Sequence, residues 1–444
     1  MKKSKFLKNV CNLSIPVALQ SMLQSSFSLV VQIMIGQLGS TSIAGVGFAG
    51  KFSSVFTVVV SAIGAGAGIM ISQYMGQNNG KEVRRSFFLN LFMGLCLALL
   101  FTLMSLAFPE PIMRLYTKDP ATRLTAANYL AIISGTFLPV AGATMLSTLF
   151  RCMEKASLPL YASIVAAVVN TVLNYILIFG KFGFPAMGAT GVAVATVVAQ
   201  LVNFLIMLVL YFKGKKPFAE KDKNESQVME FCWGQYAGIL LPMLVCEFMW
   251  SLGENIYAAI YGHMGTNASA AMTLINPVQG MMIGALCGLS QAASVIIGKK
   301  LGEGEYEEAY LASKKLLYYG FIGSVILSVV ILLISPYYVH IFQVEEHVKN
   351  LSKQILLAYA LVAPFKVENM ILGSGILRSG GKTKYVMAID LIGTWMFGVP
   401  LGLLTAFILK LSIPYVYFIL SLEECVRFVI SFVVLQKRKW MVTI

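Results

Sequence analysis

The sequence predicts an all-α polytopic membrane protein, with twelve transmembrane helices in two parallel six-helix lobes around a central cavity. Three observations carry that prediction. Apolar runs recur from end to end, charge is scarce, and the chain repeats itself at one fixed offset. Of its 444 residues, 57% are hydrophobic and 12% charged, with a mean hydropathy of +0.76; soluble domains carry about 25% charged residues. A run of about twenty apolar residues is long enough to cross a bilayer as a helix. In lipid the backbone must be satisfied within the segment. The runs are continuous rather than alternating at period two, which argues against a β-barrel.

In chain order, the first lobe (1–212) is expected to hold spans near 13–35, 45–72, 86–108, 122–149, 159–180 and 188–212. The second (231–444) is expected to hold spans near 235–262, 270–298, 314–336, 351–376, 385–409 and 414–436. Between them, residues 213–230 are rich in Lys, Glu, Asp and Asn and read as a solvated cytoplasmic linker. The opening Met1–Lys8 reads as a basic cytoplasmic tail rather than a cleavable signal. Counting Lys and Arg tests the topology. With the N-terminus inside, 24 of the 34 fall in cytoplasmic segments, 7 in external loops and 3 within spans. The positive-inside bias therefore places both termini in the cytoplasm, in the plasma membrane, and accounts for the net charge of +14 without nucleic acid. The seven cysteines form no CxxC pair and read as packing residues, with neither a metal nor a disulfide framework.

A shift of 226 residues lays Pro16 on Pro242, Ser25 on Ser251, Gly36 on Gly262, Gly39 on Gly265, Ala44 on Ala270 and Gly76 on Gly302. An even number of spans per unit gives both halves one orientation, related by an axis along the membrane normal. Within this shared frame the halves differ in charge. Glu247, Glu254, Glu368, Asp390, Glu423 and Glu424 lie inside spans, all in the second half. The first half offers Lys51 and amides, among them Gln20, Gln32, Asn170 and Asn174. A cation-coupling site is therefore expected in the second lobe.

Intramembrane carboxylates are costly and mark function by default. Glu247 lies about mid-span, five residues after Pro242, whose missing N–H is expected to kink the helix and free carbonyls beside it. Such a group suits a proton, or equally Na⁺. Glu254, seven residues on, shares its stripe roughly 10 Å along the axis and is expected in a supporting role near a solvated mouth. Glu368 follows Pro364, and Asp390 sits early in span eleven. Each is a second coupling candidate or a buried partner of Lys366. Gln32, Asn174, Asn369, Lys366 and Pro242 are expected to support the cavity. Glu423 and Arg427, at i,i+4, are expected to form a structural pair. Gly64, Gly66 and Gly68 are read as close-packing positions. No phosphate loop, zinc motif or hydrolase constellation is present in the sequence, so an enzyme is not expected.

The chain resembles the MATE (multidrug and toxic compound extrusion) family, in a bacterial branch. The resemblance rests on the twelve-span double repeat, Pro16, the Gly36–Gly39 turn and the turn Gly375-Ile376-Leu377-Arg378-Ser379-Gly380-Gly381. To these are added Leu241-Pro242 ahead of Glu247, and Asp390. It implies a V-shaped fold and secondary antiport, in which H⁺ or Na⁺ enters while an amphipathic, cationic compound leaves. It also implies coupling at Glu247 with Glu368 and Asp390, and no cofactor beyond the coupling ion. Where the family carries Val-Asp-Thr, this chain has Val31-Gln32-Ile33; Gln32 cannot titrate, so coupling is expected to run through the second lobe. The expected partners are a small-molecule substrate and the bilayer, with the protein a monomer. The alternative is a lipid-linked oligosaccharide flippase of the wider superfamily, for which Lys51 and Lys366 are the available cavity cations. A channel would show flux without coupling.

Overall fold

The computed structural model describes residues 3–38, 40–214, 233–340 and 345–444, and every regular element among them is helical. The first half contains α1 (Lys3–Gly36), α2 (Ser40–Gly76), α3 (Gly80–Ala107) and the short α4 (Pro109–Arg114). It continues through α5 (Pro120–Ile133), α6 (Phe137–Cys152), α7 (Ser157–Phe179) and α8 (Gly188–Lys213). The second contains α9 (Trp233–His263), α10 (Thr266–Gly302), α11 (Tyr306–His340) and α12 (Glu346–Asn369). It ends with α13 (Thr383–Leu391), α14 (Val399–Leu403), α15 (Ile413–Ser421) and α16 (Glu423–Gln436). Among the described residues, eleven helical segments are long and apolar enough to cross a membrane, against the twelve spans expected; the stretch expected as the twelfth, 414–436, is divided into two shorter helices. Side chains such as Phe92 (66% exposed) and Leu333 (68%) present apolar surface outward, the arrangement expected when lipid is the solvent.

Several expectations change in detail. The stretch read as a basic tail is helical from Lys3, as nothing breaks the helix before Pro16. The predicted span 414–436 is two helices, α15 and α16, which meet at Leu422 and place Glu423 and Glu424 in a helical first turn. Pro242 lies within α9, which continues unbroken across it, and Pro364 likewise lies within α12. The irregular turns fall elsewhere. A π-helical segment, Met370–Ile376, follows α12, and two more, Ile392–Gly398 and Leu404–Ile408, interrupt span eleven. Such wide turns re-aim side chains inside otherwise regular helices and are frequent at functional sites. Residues 215–232, which hold most of the expected linker and Cys232, lie outside the described residues, as does Gly39 of the Gly36–Gly39 turn. The six described cysteines are free thiols.

Two compact units account for the chain. One comprises Leu19–Ile71 and Asn79–Glu225; the other comprises Met1–Ala18, Ser72–Asn78 and Ser226–Ile444. In the first unit, Gly64 and Gly68 of α2 approach Thr144 and Thr148 of α6, so that an added Cβ would sit 3.0 Å and 3.4 Å from their methyl groups. Small residues here permit close helix packing, as expected.

In the second unit, the end of α2 crosses the end of α10. A Cβ on Gly76 would lie 2.9 Å from the carbonyl carbon of Lys299, and one on Gly302 would lie 2.8 Å from that of Gln73. Positions 73 and 299 are separated by 226 residues, as are 76 and 302. The crossing therefore contacts itself reciprocally, the signature of a two-fold relation between equivalent elements. Gln73 completes it. Its Nε2 donates to Ser379 O (2.6 Å) and Val442 O (3.2 Å), while Oε1 accepts from Ile444 N (2.7 Å).

Candidate functional site

Arg378 lies in the short 3₁₀ turn Leu377–Gly380 that follows the π-helical end of span ten. It is only 7% exposed. Its Nη1 donates to Glu247 Oε1 at 2.9 Å and its Nη2 approaches Cys246 Sγ at 3.4 Å. Cys246 in turn donates to Asp390 Oδ2 (2.7 Å), and Asp390 Oδ1 accepts from Arg427 Nη2 (2.5 Å). The other arm of Arg427 reaches Glu424 Oε2 at 3.5 Å, and Asn369 Nδ2 donates to both Glu424 Oε2 and its backbone O at 2.7 Å. One chain of contacts thus runs from Glu247 through Arg378, Cys246, Asp390 and Arg427 to Glu424 and Asn369. The two guanidiniums alternate with carboxylates, the arrangement that compensates buried charge. Planar forks with several fixed donors suit Arg to bridging between elements in this way.

Glycines in span eleven make room for it. A Cβ on Gly393 would lie 2.5 Å from Arg427 Cδ, and one on Gly398 would lie 2.9 Å from Glu423 Cδ. Glu423 is held by Tyr257, whose hydroxyl donates to Oε2 at 2.5 Å. This corrects the expected Glu423–Arg427 pair. Glu423 opens α16 and finds its partner on α9, while Arg427 pairs with Asp390 and, at i,i+3, with Glu424.

Glu423 and Glu424 also border a cavity of about 300 Å³ in the second half. Glu254 and Lys366 stand on its wall with Tyr257, Tyr359 and Tyr417. Among the described residues, neither Glu254 nor Lys366 has a hydrogen-bond or salt-bridge partner. Lys366 therefore pairs with neither Glu368 nor Asp390. Two positions apart on α12, Lys366 and Glu368 face different ways. Glu368 is 4% exposed, its Oε1 has no partner, and it lies 2.8 Å from where a Cβ on Gly320 of α11 would be. It belongs to neither the charged chain nor the cavity wall.

Of the other anticipated residues, Pro242 is buried inside α9 and Gln32 is exposed on α1. Asn174 is fully buried and donates to Asn170 Oδ1 at 2.9 Å, within the close α7–α8 pair. Among the described residues, no cluster of three or more His, Cys, Asp or Glu side chains could hold a metal ion. At Glu247, the anticipated Na⁺ position, Oε1 accepts from Arg378. Arg378 is the residue that sequence reasoning missed. It counts as one more basic residue of a cytoplasmic turn, and its acid is 131 positions away. The sequence signal available was its place in the glycine-rich turn that carries the family resemblance.

The fold and this site define a polytopic α-helical membrane transporter. The family model described as MatE matches residues 16–176 and again 242–404, two matches that start 226 residues apart, and the chain belongs to that family. Among curated proteins it is 26% identical over 444 residues to "Probable multidrug resistance protein NorM" of Agrobacterium fabrum, covering 96% of this chain and 93% of that one. It is 25% identical to "Multidrug resistance protein MdtK" of Yersinia pseudotuberculosis, covering 89% and 87%. Among solved structures, "Crystal structure of MATE in the straight conformation" superposes with a TM-score of 0.88 at 18% identity, covering 99% and 98%. A MOP superfamily transporter from Pyrococcus furiosus Vc1, described as having a binding pocket of reverse polarity, superposes at 0.87 and 18% identity over 99% and 98%. These likenesses establish the shared fold.

Proposed function

We propose that the chain is a secondary active antiporter, not an enzyme, that exports small amphipathic, cationic compounds from the cell in exchange for H⁺ or Na⁺. It would sit in the plasma membrane with both termini cytoplasmic. The observation that carries this reading is the continuous chain of contacts from Glu247 to Glu424, two ion-paired groups linked through the Cys246 thiol, which ends at a cavity lined by three glutamates. The curated relatives are named for multidrug resistance, which supports drug-like compounds as the substrate class. A flippase substrate bearing a pyrophosphate would meet those glutamates around Lys366, the wrong sign for recognition.

The residues give the coupling a physical route. When an incoming proton or Na⁺ neutralises Glu247, Arg378 loses its carboxylate and turns to the Cys246–Asp390 pair beside it. Asp390 then holds Arg427 less firmly, and Arg427 shifts toward Glu424 at the cavity. Cation binding at one end thus lowers the negative charge presented to a cationic substrate at the other. A charge crossing 100 mV supplies about 2.3 kcal/mol, enough to bias two access states separated by a small free-energy gap. Asp390 is a relay in this scheme, and the isolated Glu368 is a second carboxylate able to take a proton.

The test is efflux of a cationic dye from proteoliposomes under an imposed ΔpH and then an imposed Na⁺ gradient, for the wild type and Glu247→Gln. Wild type should move dye uphill with one gradient, and the variant should not. Dye movement that ignores both gradients would make the protein a passive pathway.

A further inference from the structure

Arg378 is carried to Glu247 by backbone that its own hydrogen bonds fix poorly. The wide turns of Met370–Ile376 give way to the 3₁₀ turn Leu377–Gly380, and Gly381 follows at φ +72°. Neither kind of turn sustains long runs, and two consecutive glycines add conformational freedom. What packs on this turn from outside therefore decides where Arg378 points. The covering comes from residues 438–444, within the same compact unit. Past α16, Arg438 takes a left-handed conformation (φ +56°) and Met441 N donates back to Arg438 O at 3.2 Å, which reverses the chain. Trp440 is then fully buried, its Nε1 donating to Leu435 O at 3.2 Å. A Cβ on Gly380 would lie 2.9 Å from the carbonyl carbon of Trp440 and 3.4 Å from its ring. One on Gly381 would lie 3.0 Å from Ile444 Cδ1. Gln73 ties turn and segment together, because the side chain that donates to Ser379 O also bonds Val442 O and Ile444 N. Two further bonds anchor the segment, from Gln77 Nε2 to Ile444 O (3.0 Å) and from Thr443 Oγ1 to Leu301 O (2.9 Å).

We infer that Trp440 is a positioning residue for the coupling site: with Gln73 it clamps the Leu377–Gly380 turn and so keeps Arg378 on Glu247 and Cys246. The inference rests on the antiport reading and adds two uncharged residues to its site. Ser379, the neighbour of Arg378, shows how direct the clamp is. Its O accepts from Gln73 Nε2 at 2.6 Å, whereas its Oγ reaches Ser294 O of α10 only at 3.3 Å, so Gln73 is the tighter tie outside span ten. The Trp440 ring supplies the packing that holds the segment down on Gly380, since a buried indole contributes more contact area than any other side chain. Removing the ring lets the segment lift and the turn relax. Arg378 then leaves Glu247, and the Cys246 thiol beside it is uncovered.

Cys246 reports on the turn. It is 3% exposed, while Cys287 of α10 and Cys425 of α16, in the same unit, are partly exposed and serve as controls. The full-length protein in nanodiscs is labelled with N-ethylmaleimide, and the rate at each cysteine is read by peptide mass spectrometry. Trp440→Ala should label Cys246 at least fivefold faster than wild type, with Cys287 and Cys425 changed less than twofold. Trp440→Phe, which keeps a ring, should bring Cys246 back within twofold of wild type. Gln73→Leu should speed Cys246 at least threefold, and it decides the matter alone if Trp440→Ala gives no monodisperse size-exclusion peak. Unchanged Cys246 labelling in a folded variant overturns the inference. So does a rise shared equally by Cys287 and Cys425, which would make Trp440 a general packing residue. In proteoliposomes, gradient-driven dye efflux should fall at least threefold in Trp440→Ala and recover in Trp440→Phe; wild-type efflux from a variant with an uncovered Cys246 also overturns it. The antiport reading fails separately. Wild type without gradient-driven efflux would remove antiport, and the labelling would still decide whether Trp440 holds the turn.

Discussion

The two repeats share a frame and differ in what they bury. Pro16 and Pro242 sit within α1 and α9, and Gly76 and Gly302 make reciprocal close contacts where α2 and α10 cross. On that frame the first repeat joins its helices with neutral groups. Gln20 of α1 donates to Ser163 of α7 at 2.8 Å and Asn170 of α7 to Thr196 of α8 at 3.3 Å, while Asn174 donates to Asn170 within α7 at 2.9 Å. The second repeat uses carboxylates and guanidiniums for the same joining, and only there do π-helical segments occur among the described residues. Amide and hydroxyl bonds hold helices together without responding to ions. A network of full charges changes whenever one member is neutralised. The difference thus separates a repeat built to hold from a repeat built to respond.

The largest expected effect comes from removing the charge that the second repeat centres on. Arg427→Leu leaves the buried Glu424 and the half-buried Asp390 without their guanidinium, and breaking a buried pair in this way costs about 3–5 kcal/mol. Thermal unfolding in detergent should show a large drop; an unchanged midpoint would mean that the network is incidental to the fold. Next, Glu247→Gln should cut gradient-driven efflux at least tenfold, about 1.4 kcal/mol in transition free energy, while the protein stays folded and its unfolding midpoint falls by less than in Arg427→Leu, because the Gln amide oxygen can still accept from Arg378. Should Gln32→Asp restore efflux to that variant, the asymmetry between repeats would not be what confines coupling to the second.

A smaller loss, about 1 kcal/mol, is expected for Asn174→Leu, which removes a neutral hydrogen bond in the first repeat. The measured gap between this variant and Arg427→Leu is the quantitative form of the comparison. The smallest effect lies at the exposed Asp119, which caps α5 by accepting from Thr122 N (3.0 Å) and Thr122 Oγ1 (2.5 Å). Those bonds hold its carboxyl below the usual carboxylate range. Its contribution is therefore fully present above the unfolded-state value of about 3.9 and is lost as pH falls through the lower folded value. Asp119→Asn should remove that acid-limb dependence from pH-resolved unfolding curves and change nothing near neutrality. Persistence of the same limb in the variant would assign it to other carboxylates.

The sequence by itself determined the helical membrane class, the doubled frame and the confinement of intramembrane acids to the second half. Each follows from local content. Apolar length dictates a lipid-spanning helix, a repeated offset exposes the duplication, and a carboxylate within an apolar run is visible wherever it sits. Glu247 and Asp390 were legible for that reason. Their partners were not. Arg378 reads as a loop cation until span ten turns it inward, and Arg427 reads as the i,i+4 partner of Glu423 until the break at Leu422 offers it Asp390 instead. Lys366 and Glu368 look like neighbours in sequence and go to different surroundings on opposite faces of one helix. The tertiary structure alone decided these pairings, because the energy of a buried charge depends on which opposite charge packs beside it, and packing between distant helices leaves no spacing in the chain to read.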